Sequence, residues 1–184
     1  MNNYRDKAYE IAKSNGFHDE EHSVEHYKCL IISELMEAVE ADRKGYRADW
    51  EAYEKYDCRI SFAENFERHI KDTVEDELAD ACIRIFDLAG AKHIDITPPF
   101  EGYHINPKQC DMLTEHIYNI CKVLTFEGMH LSKSRESLFR HSLIYAIEYL
   151  KFIADDVIGF ELFKHVELKM AYNETRQRLH GKRY

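Results

Sequence analysis

An all-α fold of about six helices is what this sequence predicts, and three observations carry the prediction. Apolar residues recur at helical spacing through six stretches, about 3–14, 22–44, 62–92, 108–127, 135–157 and 160–179. Nothing alternates convincingly with the period of two that a half-buried strand shows. Seven Gly and three Pro in 184 residues leave few helix breakers. Gly16, Gly45, Gly90, Gly128 and Gly159 fall at or near the proposed breaks, while Pro98, Pro99 and Gly102 mark the clearest loop.

The first stretch, 3–14, is short and polar on one side; 22–44 and 62–92 are long enough to cross a domain. Between them, residues 46–61 (YRADWEAYEKYDCRIS) mix aromatic and charged side chains and read as either a short helix or an ordered loop over a site. The stretches 108–127, 135–157 and 160–179 complete the set. No linker interrupts the chain, so residues 1–184 read as one domain, a size that buries roughly 70% of the surface of its unfolded chain. The segments 22–92 and 108–179 each read as long helices with related patterns, an expected degenerate helical repeat.

Composition narrows the function. A formal charge of −9 argues against nucleic-acid polymers and anionic lipid, which both require a basic surface. The polar start MNNYRDKAYE and the lack of any run of roughly 20 apolar residues argue against export or membrane insertion. Five cysteines, odd in number and without a CxxC pair, fit reduced thiols in a cytoplasm.

The chemistry lies in two pairs of acids. In CLIISELMEAVEADRKG, Glu34 and Glu37 stand three residues apart and leave one helix face a turn apart. Tyr27, Leu30, Ile31, Ala38 and Ala41 share their side of the wheel, so the acids sit inside an apolar stripe; Ile32, Leu35, Met36 and Val39 make a second apolar face. In KDTVEDELADACIRIFDLAG the device recurs with Glu77 and Asp80, flanked by Ile70, Val74, Ala81 and Leu88. Burying unpaired carboxylates costs several kcal/mol each, so protonation, basic partners or metal must compensate. Few basic residues share these faces, Arg84 being the main exception, able to pair with Asp80 or reach a phosphate. Hard oxygen ligands without Cys or His suit Mg²⁺, or Mn²⁺, better than Zn²⁺.

Near the C-terminus Lys169, Asn173 and Arg176 follow spacings of four and three, forming one helical stripe that His180 extends. Such a row offers a point charge, an amide and a planar fork to phosphates and a sugar or base, although a basic C-terminal helix taken alone is more often dipole complementation and solvated surface. His18, His22 and His26 recur every four residues and read as exposed titratable side chains. Asp87, seven residues after Asp80, is a weaker candidate for an outer shell, and Trp50, Tyr46, Tyr53 and Tyr56 could stack on a base or pack a lid. Glu101-x-x-His104 and Glu127-x-x-His130 match a short di-iron element but sit badly on helices.

Glu34-x-x-Glu37 followed by Glu77-x-x-Asp80 resembles the ExxE and ExxD signature of the MazG-like, all-α nucleotide pyrophosphohydrolases. ELADACIRIFDLAGAKHIDI is similar to that family's second metal helix, and ELKMAYNETRQRLHGKRY to its substrate-binding tail. The resemblance covers about two thirds of the chain. It implies a MazG-like helical bundle and a magnesium-dependent nucleoside triphosphate pyrophosphohydrolase that releases the nucleoside monophosphate and pyrophosphate. It also implies Glu34, Glu37, Glu77 and Asp80 as catalytic metal ligands, Lys169, Asn173 and Arg176 as substrate-binding residues, and a homo-oligomer. Two departures stand out: Ser33 replaces an acid common in the family, and the long gap from Glu37 to Glu77 implies an insertion at about 46–70. The same acids are compatible with a non-enzymatic binding or regulatory module holding a structural ion, or with a di-metal carboxylate bundle.

Overall fold

The computed structural model describes residues 1–55, 59–101, 103–107, 110–126 and 135–181, without the side chains of Arg135 and His180. Every regular element among them is helical: α1 (Asn2–Ser14), α2 (Val24–Lys44), α3 (Trp50–Glu54), α4 (Phe62–His69), α5 (Val74–Ala91), α6 (Leu113–Thr125), α7 (Arg135–Phe152) and α8 (Leu162–Glu174). A wider π-type turn, Ile153–Ile158, prolongs α7, and a 3₁₀ turn, Arg178–Gly181, follows α8. The all-α expectation holds, but among the described residues eight α-helices stand where about six were expected. No helix among the described residues is long and apolar enough to cross a membrane.

The extra helices arise inside the expected insertion. Residues 62–92 are not continuous: α4 ends at Ile70, Asp72 takes a left-handed φ of 62°, and Thr73 caps α5 by accepting from the Asp76 amide at 3.4 Å. The Thr73 hydroxyl donates to the Ile70 carbonyl at 2.7 Å, tying the two helices at the kink. Within 46–61, Asp49 caps α3 through the Ala52 amide at 2.9 Å. At 70–73 local capping outweighed the apolar period that runs across the break.

Helix α5 is the axis of the fold. Fourteen of its eighteen residues are buried, and α1, α2, α7 and α8 all pack on it. The α1 contact is close: a Cβ on Gly90 would lie 2.5 Å from Tyr9 Cβ, so this glycine serves an approach of two helices rather than a break. Helix α2 buries Tyr27, Ile31, Glu34, Leu35, Ala38 and Ala41 against α5, ends in Gly45 at φ 73°, and leaves Met36 46% exposed. Of the second apolar face expected for α2, Leu35 is buried, Ile32 and Val39 are half-buried, and only Met36 faces solvent. One core runs through α1, α2, α5, α6, α7 and α8. A satellite core of Phe66, Ile70 and Tyr172, with Trp50, Tyr53 and Phe62 against it, seats the 46–70 segment on α8.

Candidate metal and phosphate site

The α2–α5 packing turns Glu34 toward Glu77 and Asp80, so that one carboxylate oxygen from each lies within 4.8 Å of the others. Glu34 and Glu77 are buried and Asp80 is half-buried. An octahedral Mg²⁺ with oxygens at about 2.1 Å needs cis ligands about 3 Å and trans ligands about 4.2 Å apart, so the group fits such an ion after a small contraction. A second group, Asp72, Asp76 and Glu77, shares Glu77 and meets the same spacing, but Asp72 is exposed and paired with Lys71 at 2.6 Å. Neither group contains a His. Glu37, the fourth expected ligand, stands outside the first group: it is exposed and accepts a long 3.3 Å bond from the Ser33 hydroxyl on its own helix.

Basic partners compensate more of this charge than the sequence suggested. Arg84 donates to Glu34 at 3.0 Å, not to Asp80. Lys169, 3% exposed, reaches across from α8 and places its ammonium 2.6 Å from Asp76 Oδ2 and 2.8 Å from Asp80 Oδ2. Glu77 has no ion-pair partner among the described residues. Burial, and then the charges of Asp80 and Asp76, push its carboxyl up to about 9, so at neutral pH it is protonated. Burial raises Asp76 to about 6 against the pull of Lys169. Burial would raise Asp80 too, but Lys169, Arg84 and Arg176 together hold it below the usual carboxylate range. The Lys169 ammonium is favoured by Asp80 and Asp76 strongly enough to overcome its own burial.

Asn173 on α8 and Arg176 just past its end line one cleft with Glu34, Asp80, Arg84 and Asp87. Asn15, Phe17 and the α1 residues Ala8, Ile11 and Ala12 close its other side. Its interior of about 50 Å³ holds a small hydrated group, and the space out to solvent comes to about 500 Å³. The Asn15 amide donates to the Asn173 backbone carbonyl at 3.4 Å, while Asn173 Oδ1 is buried without a hydrogen-bond partner. Arg176 rests on the Tyr172 ring, 5.7 Å from its centroid, and Arg84 on the Phe17 ring at 5.5 Å. The His180 side chain lies outside the described residues.

Several residues near the site were not legible as such. Asp76 sits in the acidic run Glu75-Asp76-Glu77 at a helix start, where acids are ordinary dipole partners, and nothing local marks it as the fully buried one. Asn15 and Phe17 come from the turn after α1, which carried no motif. His18 is a correction: its side chain is 9% exposed, its Nε2 lies 2.7 Å from Asp87 Oδ1, and its Nδ1 lies 3.2 Å from the Tyr27 hydroxyl. Asp87 is therefore committed to His18 at the cleft wall. His22 and His26 stack on each other with centroids 4.2 Å apart. Trp50 packs edge-on against buried His165 at 5.1 Å, which places it in the satellite core. Glu101 and His104 lie outside the helices, and Glu127 and His130 lie outside the described residues.

Compared with known proteins, the chain matches no family model, no curated protein and no solved structure.

Proposed function

We propose that this chain is a divalent-cation-dependent nucleoside triphosphate pyrophosphohydrolase of the MazG-like kind its motifs resemble. The observation that carries the reading is the meeting of Glu34, Glu77 and Asp80, one of them lacking a basic partner, with Lys169 on Asp80, beside a cleft that Glu34 and Asp80 line together with Asn173 and Arg176. When bound, Mg²⁺ or Mn²⁺ supplies charge for the phosphates and a water of lowered pKa. Glu34, Glu77 and Asp80 would hold the ion, Glu77 in its deprotonated form. Glu37, one turn along α2 and exposed, is the further carboxylate that the motif resemblance implies. Lys169 and Arg176 take phosphate oxygens, and Asn173, whose Oδ1 lacks a donor, accepts from a sugar or base. Water attacks phosphorus, the anhydride bond breaks, and pyrophosphate leaves.

The test is pyrophosphate release from each common ribo- and deoxyribonucleoside triphosphate, with Mg²⁺ and with EDTA, for wild type and Glu37→Ala. Release that needs both the metal and Glu37 supports the proposal. Release from Glu37→Ala at the wild-type rate removes Glu37 from it, and no release from any nucleotide removes the activity. A second reading, a non-enzymatic module, is favoured by the ion pairs that already neutralise Glu34, Asp76 and Asp80. It predicts a folded protein that binds no triphosphate. The homo-oligomer implied by the resemblance belongs to the proposal and is read by light scattering on a sizing column.

A further inference from the structure

Lys169 occupies an unusual position for a residue that binds substrate. Its side chain is 4% exposed, its ammonium sits between Asp76 and Asp80, and the rings of Phe66 and Tyr172 lie under it at 5.5 and 5.8 Å. Those rings stack on each other at 4.4 Å, so the lysine is held by two carboxylates and an aromatic wall. Asp76 in turn is fixed. It is fully buried, its Oδ2 also accepts from the Asp72 amide at 3.0 Å, and its Oδ1 has no hydrogen-bond partner. Asp80 belongs to the three-carboxylate group, and its Oδ2 is the atom that Lys169 touches. A divalent ion held by Glu34, Glu77 and Asp80 would approach the same carboxylate that the ammonium now neutralises.

We propose that Lys169 is the resident counter-ion of the carboxylate group, competing with a divalent cation for Asp80, and that Asp76 is the positioning residue that draws it aside. The inference rests on reading Glu34, Glu77 and Asp80 as cation ligands. In the cation-free protein Lys169 divides its charge between Asp76 and Asp80. When a cation takes Asp80, the ammonium keeps Asp76 as its anchor and is left beside the ion, where phosphate oxygens will lie. Asp76 thus lowers the cost of exchanging one positive charge for another in a buried place, since an ammonium with no second carboxylate would have to be forced off Asp80 into an apolar wall.

The experiment is a Mn²⁺ titration of the whole protein without nucleotide, at one pH, followed by calorimetry. Asp76→Asn, in which Lys169 leans on Asp80 alone, is expected to bind Mn²⁺ several-fold more weakly than wild type. Adding Lys169→Met to Asp76→Asn leaves no buried Asp76 charge unpaired, so the double variant keeps the fold, and it is expected to bind about tenfold more tightly than Asp76→Asn. Equal or weaker binding by the double variant overturns the competition. The single Lys169→Met variant completes a double-mutant cycle. If Asp76→Asn weakens binding as much without Lys169 as with it, Asp76 acts by its own charge and its positioning role is overturned. Urea midpoints separate these effects from stability. If wild type itself binds no Mn²⁺, the reading of the three carboxylates fails as well, whereas wild-type binding without the expected change refutes this inference alone.

Discussion

Two buried histidines show how differently the two sides of this helical fold are built. In the α6–α7 half, His116 is 1% exposed, its Nδ1 lies 3.3 Å from the Tyr149 hydroxyl, and Asn119 donates to that same hydroxyl at 3.3 Å. In the α5–α8 seam, His165 is 0% exposed and neither ring nitrogen has a hydrogen-bond partner. The buried side-chain atoms without partners among the described residues belong to Asp76, His165 and Asn173, all on α5 or α8. One half therefore satisfies these polar groups internally, while the other leaves buried polar atoms unpartnered, Asn173 Oδ1 at the cleft among them, at a cost of about 1–3 kcal/mol for each unsatisfied group. For Asn173, which lines the cleft, a ligand that donates to its Oδ1 would offset that cost.

The contrast can be broken by exchanging its signatures. Glu77→Gln should lower hydrolysis by at least about 100-fold, because a charged cation ligand is lost. Its urea midpoint should stay level or rise, since a group that favours the protonated state is replaced by a neutral one. Tyr149→Phe should do the reverse: full activity, with a loss of about 1–3 kcal/mol in chemical denaturation as His116 and Asn119 lose their shared partner. Matching behaviour in the two variants would erase the distinction between the halves.

Gly90→Ala tests the packing that seats α1 against the site. The new methyl would press on Tyr9 Cβ, and the expected cost is about 1–3 kcal/mol, measured by urea unfolding. A neutral result would mean that α1 moves freely on α5.

His165 sharpens the comparison through pH. Burial, and then Lys169, lower its pKa from 6.5 to about 3, so between those values the unfolded chain binds a proton that the native chain does not. Stability contributed by this group is complete above pH 6.5 and is lost as pH falls toward 3. In His165→Phe the acid limb of the stability profile should be shallower over that window, as followed by thermal unfolding at stepped pH.

The smallest expected effect is on proton release. Because Glu77 is raised to about 9, it carries a proton at pH 7 that a bound cation must displace. Mg²⁺ binding should therefore release close to one proton at pH 7, falling toward none above pH 9, and affinity should rise with pH across that interval. Titrations in buffers of different ionisation enthalpy measure this, and Glu77→Gln should abolish it.

Much of the fold was legible because the apolar period of long helices survives in the sequence, as in α2 and α5, where Glu34 and Glu77 are buried within the apolar stripes expected for them. The kink at 70–73 was not, since Val74 and Leu78 continue the period and only Thr73 with Asp76 signals a new start. Three members of the acidic set were brought together as expected. Glu37 was not, because three residues along α2 already turn it past the contact with α5 toward solvent. The partners of the acids were least legible of all: Lys169 meets Asp76 across 93 residues of sequence, and no local pattern encodes a contact made by tertiary packing.

The most direct test of the account is to follow phosphorus products by NMR as wild type and Glu77→Gln act on the preferred triphosphate, in Mg²⁺ and in EDTA. Wild type with Mg²⁺ is expected to yield nucleoside monophosphate and pyrophosphate, and the variant and the EDTA-treated protein neither. Orthophosphate as the first product, or wild-type turnover by Glu77→Gln, would contradict it.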